Sequence, residues 1–530
     1  MNRRLLVASA CNFGLCAYYG VSVATVVASV AGVVVAVLTT RPPADPTLTV
    51  QDRCLMNQER LAPTTPGAGT MAIVMYIAKE NLPSVDAAIK GMRHACTKFP
   101  RFGSVVVETR NLEDTYWRRV EVDMARHVVE HAPVQQGALE ERINGLINTD
   151  LPRDVPLWRI DLLPTTAAGA SSGCVLLRAS HALGDGLRLV GAAGEFLSFA
   201  DGAPASLDLL AKMAKAKLSP PPRGVGGLAK DLVTAMTLKD IRDEDKTCLH
   251  APGELFPRAT PRVNVVSTVK LADLKAIRAA AIHDAGSDAA AATTTLNDVI
   301  LGCFVGGLRA YAELVGEPIC GEPLVRALIA VSMPSAAGAA SRGEMFNDFL
   351  LPSVTLPIGA TSRAARLSAI RQVMAETKAS RAGYIMGRML TLIAKLGLDF
   401  LVGDTQNQAC AVPPHTLPRE LIAMPPSSSP ARPHQQARIA ACLQVFGKHA
   451  FVYSNLPGFT QPVHLFERTA KVDRFAAYFP NLVSQLLFLS YGSELTCSLS
   501  TDAATITRPQ AFVDCFALEV AQWAEECSRS

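Results

Sequence analysis

The sequence predicts a mixed α+β protein of two halves, preceded by an N-terminal membrane anchor. Three observations lead there. Short apolar strand patterns alternate with amphipathic helical patterns on both sides of a break at Ser219-Pro220-Pro221-Pro222, which is the order of αβ layers and not of a helical bundle. The chain has 530 residues, more than the roughly 250–300 that one core usually serves. No charged residue occurs over positions 5–40.

That uncharged run follows Arg3 and Arg4 and is ended by Arg41, Pro42 and Pro43. A bilayer core takes about 20 apolar residues, and the best single span is 19–38, rich in Val and Ala. One span with a lead-in fits, and so does a tight pair of short helices. A secretory signal has an apolar region of only about 7–15 residues, shorter than this run. Residues 1–43 therefore read as an uncleaved anchor.

Behind it, 44–200 reads as a first subdomain. Residues 71–78 form a continuous apolar strand. Residues 82–97 have helical spacing through Val85, Ile89, Met92 and Ala95. A strand is expected over 102–109, a helix over 136–147, strands over 158–163 and 174–179, and a helix over 186–200. Residues 201–262 have the lysine-rich, proline-broken composition of a crossover linker. The second subdomain, 263–530, opens with a strand (263–270) and a helix (272–283). A strongly apolar helix (296–314), a buried strand (324–333) and an amphipathic helix (362–380) follow. Residues 405–437 are a Pro- and Ser-rich loop. Four strands (451–454, 471–475, 486–491 and 494–500) and a closing helix (509–528) complete it. Residues 383–402 are very apolar, with Arg388, Lys395 and Asp399 on one stripe. They read as a core helix or as a lipid-contacting surface.

Composition narrows the function. Hydrophobic residues are 49% and charged residues 18%, which excludes a disordered chain. Fifty-one Lys and Arg against 47 Asp and Glu leave +4, with no basic stripe of the kind nucleic-acid binding needs. Thirteen scattered cysteines lack both zinc spacing and a disulfide framework, so no metal is expected. A mean hydropathy of +0.21 points to a membrane segment, an apolar substrate, or both.

The sharpest local feature is Ser180-His181-Ala182-Leu183-Gly184-Asp185-Gly186, placed between a strand and a helix. A histidine at a strand end is held by rigid backbone, and its neutral imidazole can take a proton near pH 7. Gly184 and Gly186 are expected to permit a sharp turn. Asp185, near a helix start, would brace the loop or pair with an arginine. Other motifs follow in order. Pro156-Leu157-Trp158 lies upstream, Leu296-Asn297-Asp298-Val299 opens the apolar helix, and Ser454-Asn455-Leu456-Pro457-Gly458-Phe459 follows a strand. Asn297 and Asp298 also suit a helix cap and a first-turn acid. Trp158 also suits an aromatic core anchor, and the 454–458 segment a turn. No GxSxG occurs, which argues against a serine hydrolase of that type.

Together these motifs resemble the wax ester synthase/diacylglycerol acyltransferase family of bacteria and plants, over most of residues 55–525, including Trp117, His127 and the Asn347 region. The resemblance implies two chloramphenicol-acetyltransferase-like subdomains with a tunnel at their interface. It implies acyl-CoA as co-substrate, with no bound cofactor, and a diacylglycerol or fatty alcohol as acceptor. His181 stands where the family carries its catalytic histidine. Ser180 replaces the first histidine of the family's pair, Phe459 its final proline, and Ala330-Val331-Ser332-Met333-Pro334 lacks its arginine. His181 is then the general base, Asp185 its orienting neighbour, and Asn297, Ser454 or Asn455 the oxyanion donor. Gly186 and Trp158 are candidate substrate contacts. An acceptor such as a polyketide or sterol alcohol, or a non-catalytic lipid-binding relative, are the competing readings. The expected location is the endoplasmic reticulum or plasma membrane, with the catalytic part in the cytosol, where acyl-CoA is.

Overall fold

Thr70–Ile77 (β1) is apolar at nearly every position and buried along its whole length. Such a strand needs cover on both faces, and it lies inside the first sheet with a neighbouring strand on each side. Met71, Ile73, Met75 and Ile77 enter one core, whereas Ala72, Val74 and Tyr76 enter another on the opposite face, the period of two a strand imposes. In this computed structural model the described residues are 52, 67, 69–107, 115–205, 246–250, 261–284, 293–332, 344–380, 448–466, 470–481 and 483–529. The predicted anchor, most of the linker, the apolar 383–402 segment and the 405–437 loop lie outside them. Among the described residues no helix is long and apolar enough to cross a membrane.

Around β1 the first half places Val85–Lys98 (α1), Val128–Glu130 (β2), Leu139–Ile147 (α2), Trp158–Pro164 (β3), Gly173–Ser180 (β4) and Gly186–Ala193 (α3). Ser84 caps α1 by accepting from Ala87 N, satisfying one of the amides every helix start leaves open. Arg178, buried in β4, donates to the carbonyls of Leu146 and Thr149 at the end of α2. It also reaches Asp161 of β3 at 3.0 Å. Burial alone would raise the Asp161 carboxyl. The His131 hydrogen bond and the Arg178 and Arg159 charges outweigh it, so the net shift is downward.

The second half contains Val263–Lys270 (β5), Leu271–His283 (α4), Leu296–Leu314 (α5), Arg326–Ile329 (β6), Ser353–Thr355 (β7), Arg363–Ala379 (α6) and Phe451–Leu456 (β8). Val472–Tyr478 (β9), Ser484–Tyr491 (β10), Glu494–Thr501 (β11) and Pro509–Arg529 (α7) follow. The six-stranded sheet runs β7-β6-β8-β10-β11-β5, with β8 parallel to both β6 and β10. Helices α5 and α7 bury their apolar faces against it, with Phe304 of α5 meeting Phe451, Phe488 and Phe512. Each such ring contributes about 1.5–3 kcal/mol by burial. Close contact needs Gly307, where a Cβ would come within 2.8 Å of Phe516 backbone.

One strand of the 263–530 stretch crosses over. The first sheet is ordered β9-β1-β4-β3-β2, and β9 pairs antiparallel with β1 from Ala72↔Tyr478 onward. Other elements depart from the sequence pattern for local reasons. The helix expected to reach 200 stops at Ala193, and Leu197–Ser198 turns out to pair with His464–Leu465. The strand expected over 324–333 divides. Ala330 N bonds to Tyr453 O, and Val331–Ser332 leaves to pair with Phe349–Leu350. Pro100–Gly103 is a tight helical turn, so the strand expected from 102 begins at Ser104. Gln136–Ala138 is likewise a tight turn ahead of α2.

Candidate active site

The end of β4 delivers His181 to a site assembled from distant parts of the chain. Ser180 is paired with Thr70 of β1, and His181 N donates to Gly69 O at 2.9 Å. The strand then tightens into a helical turn, His181–Leu183, capped by Ser180, whose hydroxyl accepts from Ala182 N. That is the local work of the residue replacing the first histidine of the pair.

Neither glycine of the turn uses left-handed backbone. Gly184 is extended, with φ 170°, a conformation open to any residue. Space is what each provides. A Cβ on Gly184 would meet Met345 Cε at 3.0 Å, and one on Gly186 would touch both methyls of Leu456 and Met71 Cε. Gly186 thus sits beneath the end of β8.

Asp185 caps α3. It accepts from Arg188 N at 3.1 Å, pairs with the Arg188 guanidinium, and accepts from Asp348 N at 3.2 Å. Burial pushes its carboxyl up, against the pull of the Arg188 charge. Arg188 in turn lies 3.8 Å from the Phe346 ring centre.

The His181 ring packs against Phe479 and Phe349, with ring centres 4.8 and 5.7 Å away. Its Nδ1 lies 2.9 Å from Asn347 Oδ1. The Asn347 amide nitrogen donates to His181 O at 2.8 Å and to Asp52 Oδ1 at 2.7 Å. Asp52 Oδ2 takes Arg101 at 3.0 Å, and Arg101 also donates to Ala182 O. His181, Asn347, Asp52 and Arg101 are all buried. Removal from water disfavours the imidazolium, so burial holds the His181 pKa below its ordinary value. No hydrogen bond is made to Nε2 among the described residues.

The second set of predicted residues meets elsewhere. Asn297 Oδ1 accepts from Asn455 Nδ2 and from Tyr453 Oη, both at 3.1 Å. Neither Asn297 nor Asn455 hydrogen-bonds to His181 or Asn347. Asn297 is not the helix cap. Thr295 is, in a reciprocal capping box with Asp298. Ser454 and Asn455 lie within β8 itself, half-buried, and the turn begins at Pro457. A Cβ on Gly458 would fall 1.5 Å from Ser490 O, so only glycine fits there. Trp158 is in the core. Its indole donates to Phe102 O at 2.7 Å and stacks on His127 at 4.3 Å.

Asp52, Arg101 and Arg188 were not singled out from the sequence. Arg188 follows the motif by two residues, and a helix-start acid with a basic residue three positions on could have flagged it. Nothing local marks Asp52. Among the described residues no cluster of three or more His, Cys, Asp or Glu could hold a metal.

Comparison with known proteins agrees with the motif order. Residues 48–300 match the wax ester synthase/diacylglycerol acyltransferase catalytic domain, and 429–522 the WS/DGAT C-terminal domain. Wax ester synthase/diacylglycerol acyltransferase 5 of Arabidopsis thaliana is 27% identical over 128 residues, 22% of this chain and 25% of that protein. Number 6 of the same plant is 28% identical over 117 residues, 20% of this chain and 22% of its own length. The aligned stretch thus spans about a quarter of these curated relatives. Among solved structures, the wax ester synthase/diacylglycerol acyltransferase from Marinobacter aquaeolei VT8 covers 91% of this chain and all of its own, at TM-score 0.55 and 16% identity. The starter condensation domain of rhizomide synthetase, in complex with C8-CoA, covers 90% of this chain and 95% of its own, at TM-score 0.52 and 12% identity. At these identities the structures establish the fold, a mixed α+β architecture shared with condensation domains. With two family domains matched in order across the sheets and the His181 turn, the chain belongs to the wax ester synthase/diacylglycerol acyltransferase family.

Proposed function

We propose that the protein is an acyl-CoA-dependent O-acyltransferase that esterifies a lipid alcohol, turning diacylglycerol into triacylglycerol or a long-chain alcohol into a wax ester. The observation that carries this is His181: a buried imidazole whose Nδ1 is engaged by Asn347 and whose pKa burial holds down. Such a group is neutral at pH 7 and has Nε2 available as a base. A hydroxyl is a poor nucleophile until its proton is taken in the transition state, and that assistance is typically worth about 10²–10⁴-fold.

In the proposed reaction Nε2 takes the acceptor's hydroxyl proton as the oxygen attacks the thioester carbonyl. The C–S bond then breaks, and the CoA sulfur leaves with the proton held by His181. No acyl-enzyme is required. The carbonyl oxygen gains charge and needs donors. Asn297, Ser454 and Asn455 are the candidates. Asn297 spends its oxygen on Tyr453 and Asn455, leaving its amide N–H groups for a ligand. Asp185 is assigned to holding the turn that carries His181. The acyl chain would lie in a tunnel between the two halves. The uncharged run at 5–40 would hold the enzyme at the endoplasmic reticulum or plasma membrane, with this site on the cytosolic side.

The test is product analysis with a long-chain acyl-CoA and with diacylglycerol and long-chain alcohol in competition, alongside CoA thiol release. Thiol release that requires an alcohol, with the matching ester formed, is the expected result. Absence of thiol release with every acceptor would instead identify a lipid-binding relative.

A further inference from the structure

We infer that Asp52 is a positioning residue for the base, acting through Asn347 to fix which nitrogen of His181 carries the proton. The inference rests on the proposed role of His181 and adds a part to it.

The argument is a count of donors and acceptors. A side-chain amide has one acceptor oxygen and two N–H donors. One end of the Asn347 amide faces Asp52 Oδ1 at 2.7 Å and His181 O at 2.8 Å. A carboxylate and a carbonyl can only accept, so that end must be the nitrogen, and both its hydrogens are used. The other end is therefore the oxygen, and it faces His181 Nδ1 at 2.9 Å. An amide oxygen can only accept, so Nδ1 must donate. A neutral imidazole with its proton on Nδ1 has its lone pair on Nε2, which is the form a base needs.

Asp52, together with His181 O, gives the amide a single orientation. His181 O asks for the same orientation, and Asp52 takes the second N–H, so a reversed amide would set its oxygen against two acceptors. Asp52 Oδ1 also accepts from Asn347 N at 3.0 Å, holding backbone and side chain together. Its Oδ2 takes Arg101 at 3.0 Å, and Arg101 donates to Ala182 O at 3.0 Å in the turn that carries His181. One carboxylate thus braces the asparagine and, through Arg101, the turn that carries the histidine. An asparagine at position 52 keeps only one acceptor oxygen, so its NH₂ would oppose a donor, either Arg101 or the Asn347 N–H groups. The hold on Asn347 then loosens, the preference for a proton on Nδ1 weakens, and His181 with its proton on Nε2, which is no base, becomes populated.

The test reads the tautomer directly. In protein labelled with ¹⁵N-histidine, the His181 signals, assigned by their loss in His181→Gln, should show a protonated Nδ1 and an unprotonated Nε2. Asp52→Asn should lower kcat at least about tenfold with little change in KM, because binding is untouched while the base is in the wrong form. Its His181 signals should move toward protonated Nε2; its melting temperature should fall, because the buried Arg101 loses the Asp52 charge, so turnover and tautomer are read at a temperature where the variant remains folded. A wild-type protein with Nε2 protonated would overturn the inference, and this needs no variant to fold. So would Asp52→Asn with wild-type turnover, or with lost turnover and an unchanged tautomer. Failure of the broader reading looks different: His181→Ala would retain acyl transfer whatever the tautomer.

Discussion

Two histidines of the first half are buried, and burial lowers the pKa of both. His127 precedes β2 and bonds through Nδ1 to the carbonyl of Trp158, at 2.7 Å, while its ring stacks on that tryptophan. Its Nε2 is buried and makes no hydrogen bond among the described residues. His181 follows β4 and bonds through Nδ1 to a side-chain amide from the second half. It is 9% exposed against 1% for His127. Neutrality at pH 7 therefore does not distinguish the proposed base from a core residue. The difference lies in what holds the far nitrogen, and in whether Nε2 opens anywhere.

The largest test of this contrast is the paired substitution. His181→Ala should lower kcat by about 10²–10⁴-fold while the protein still melts cooperatively. His127→Ala should keep turnover and lose about 2 kcal/mol of stability, from its stacked contact and its hydrogen bond. Denaturation curves and turnover on the same preparations check both. Loss of turnover in both variants without loss of stability would erase the distinction.

Asp185→Asn should come next in size. It leaves the Arg188 guanidinium buried without its counter-charge, a change that typically costs about 3–5 kcal/mol. Calorimetry should show the fall, with turnover dropping mainly as the turn loosens. An unchanged melting temperature with lost turnover would make Asp185 part of the chemistry.

The smallest effect is on pH dependence. A histidine held neutral by burial binds fewer protons folded than unfolded, so stability falls as pH drops below the unfolded value of about 6.5. His127→Phe should flatten that decline between pH 7.5 and pH 5.5 relative to wild type, because one of the first half's two imidazoles with a pKa lowered by burial is gone. The limb of kcat/KM that falls on acidification should lie below pH 6.5 and be unchanged in His127→Phe. A limb that moved with His127 would assign the base to the wrong residue.

Local patterns were legible in the sequence, and distant pairings were not. Val263–Lys270 and Leu296–Leu314 appear with the bounds their periodicity predicts, because each is decided by its own alternation or cap. The β1–β9 pairing joins segments some 400 residues apart, and nothing in Val472–Tyr478 says which sheet it will complete. The site divides the same way. His181 and Asp185 stood out because strand, turn and helix start are contiguous. Asn347 entered only as part of a family region, and its contact with His181 spans 166 positions. Asp52 was an unremarked acid in a polar connector, since its partner lies 295 positions away.

The position of that acid has a practical side. Thr40 closes the uncharged run, and Asp52 comes twelve residues later. A water-soluble form obtained by trimming the apolar start has little room for error. A chain beginning at 44 keeps the carboxylate, and one beginning at 55 discards it. If Asp52 positions the base as proposed, the second would lose turnover for a reason that has nothing to do with lipid, and adding vesicles or detergent would not bring it back.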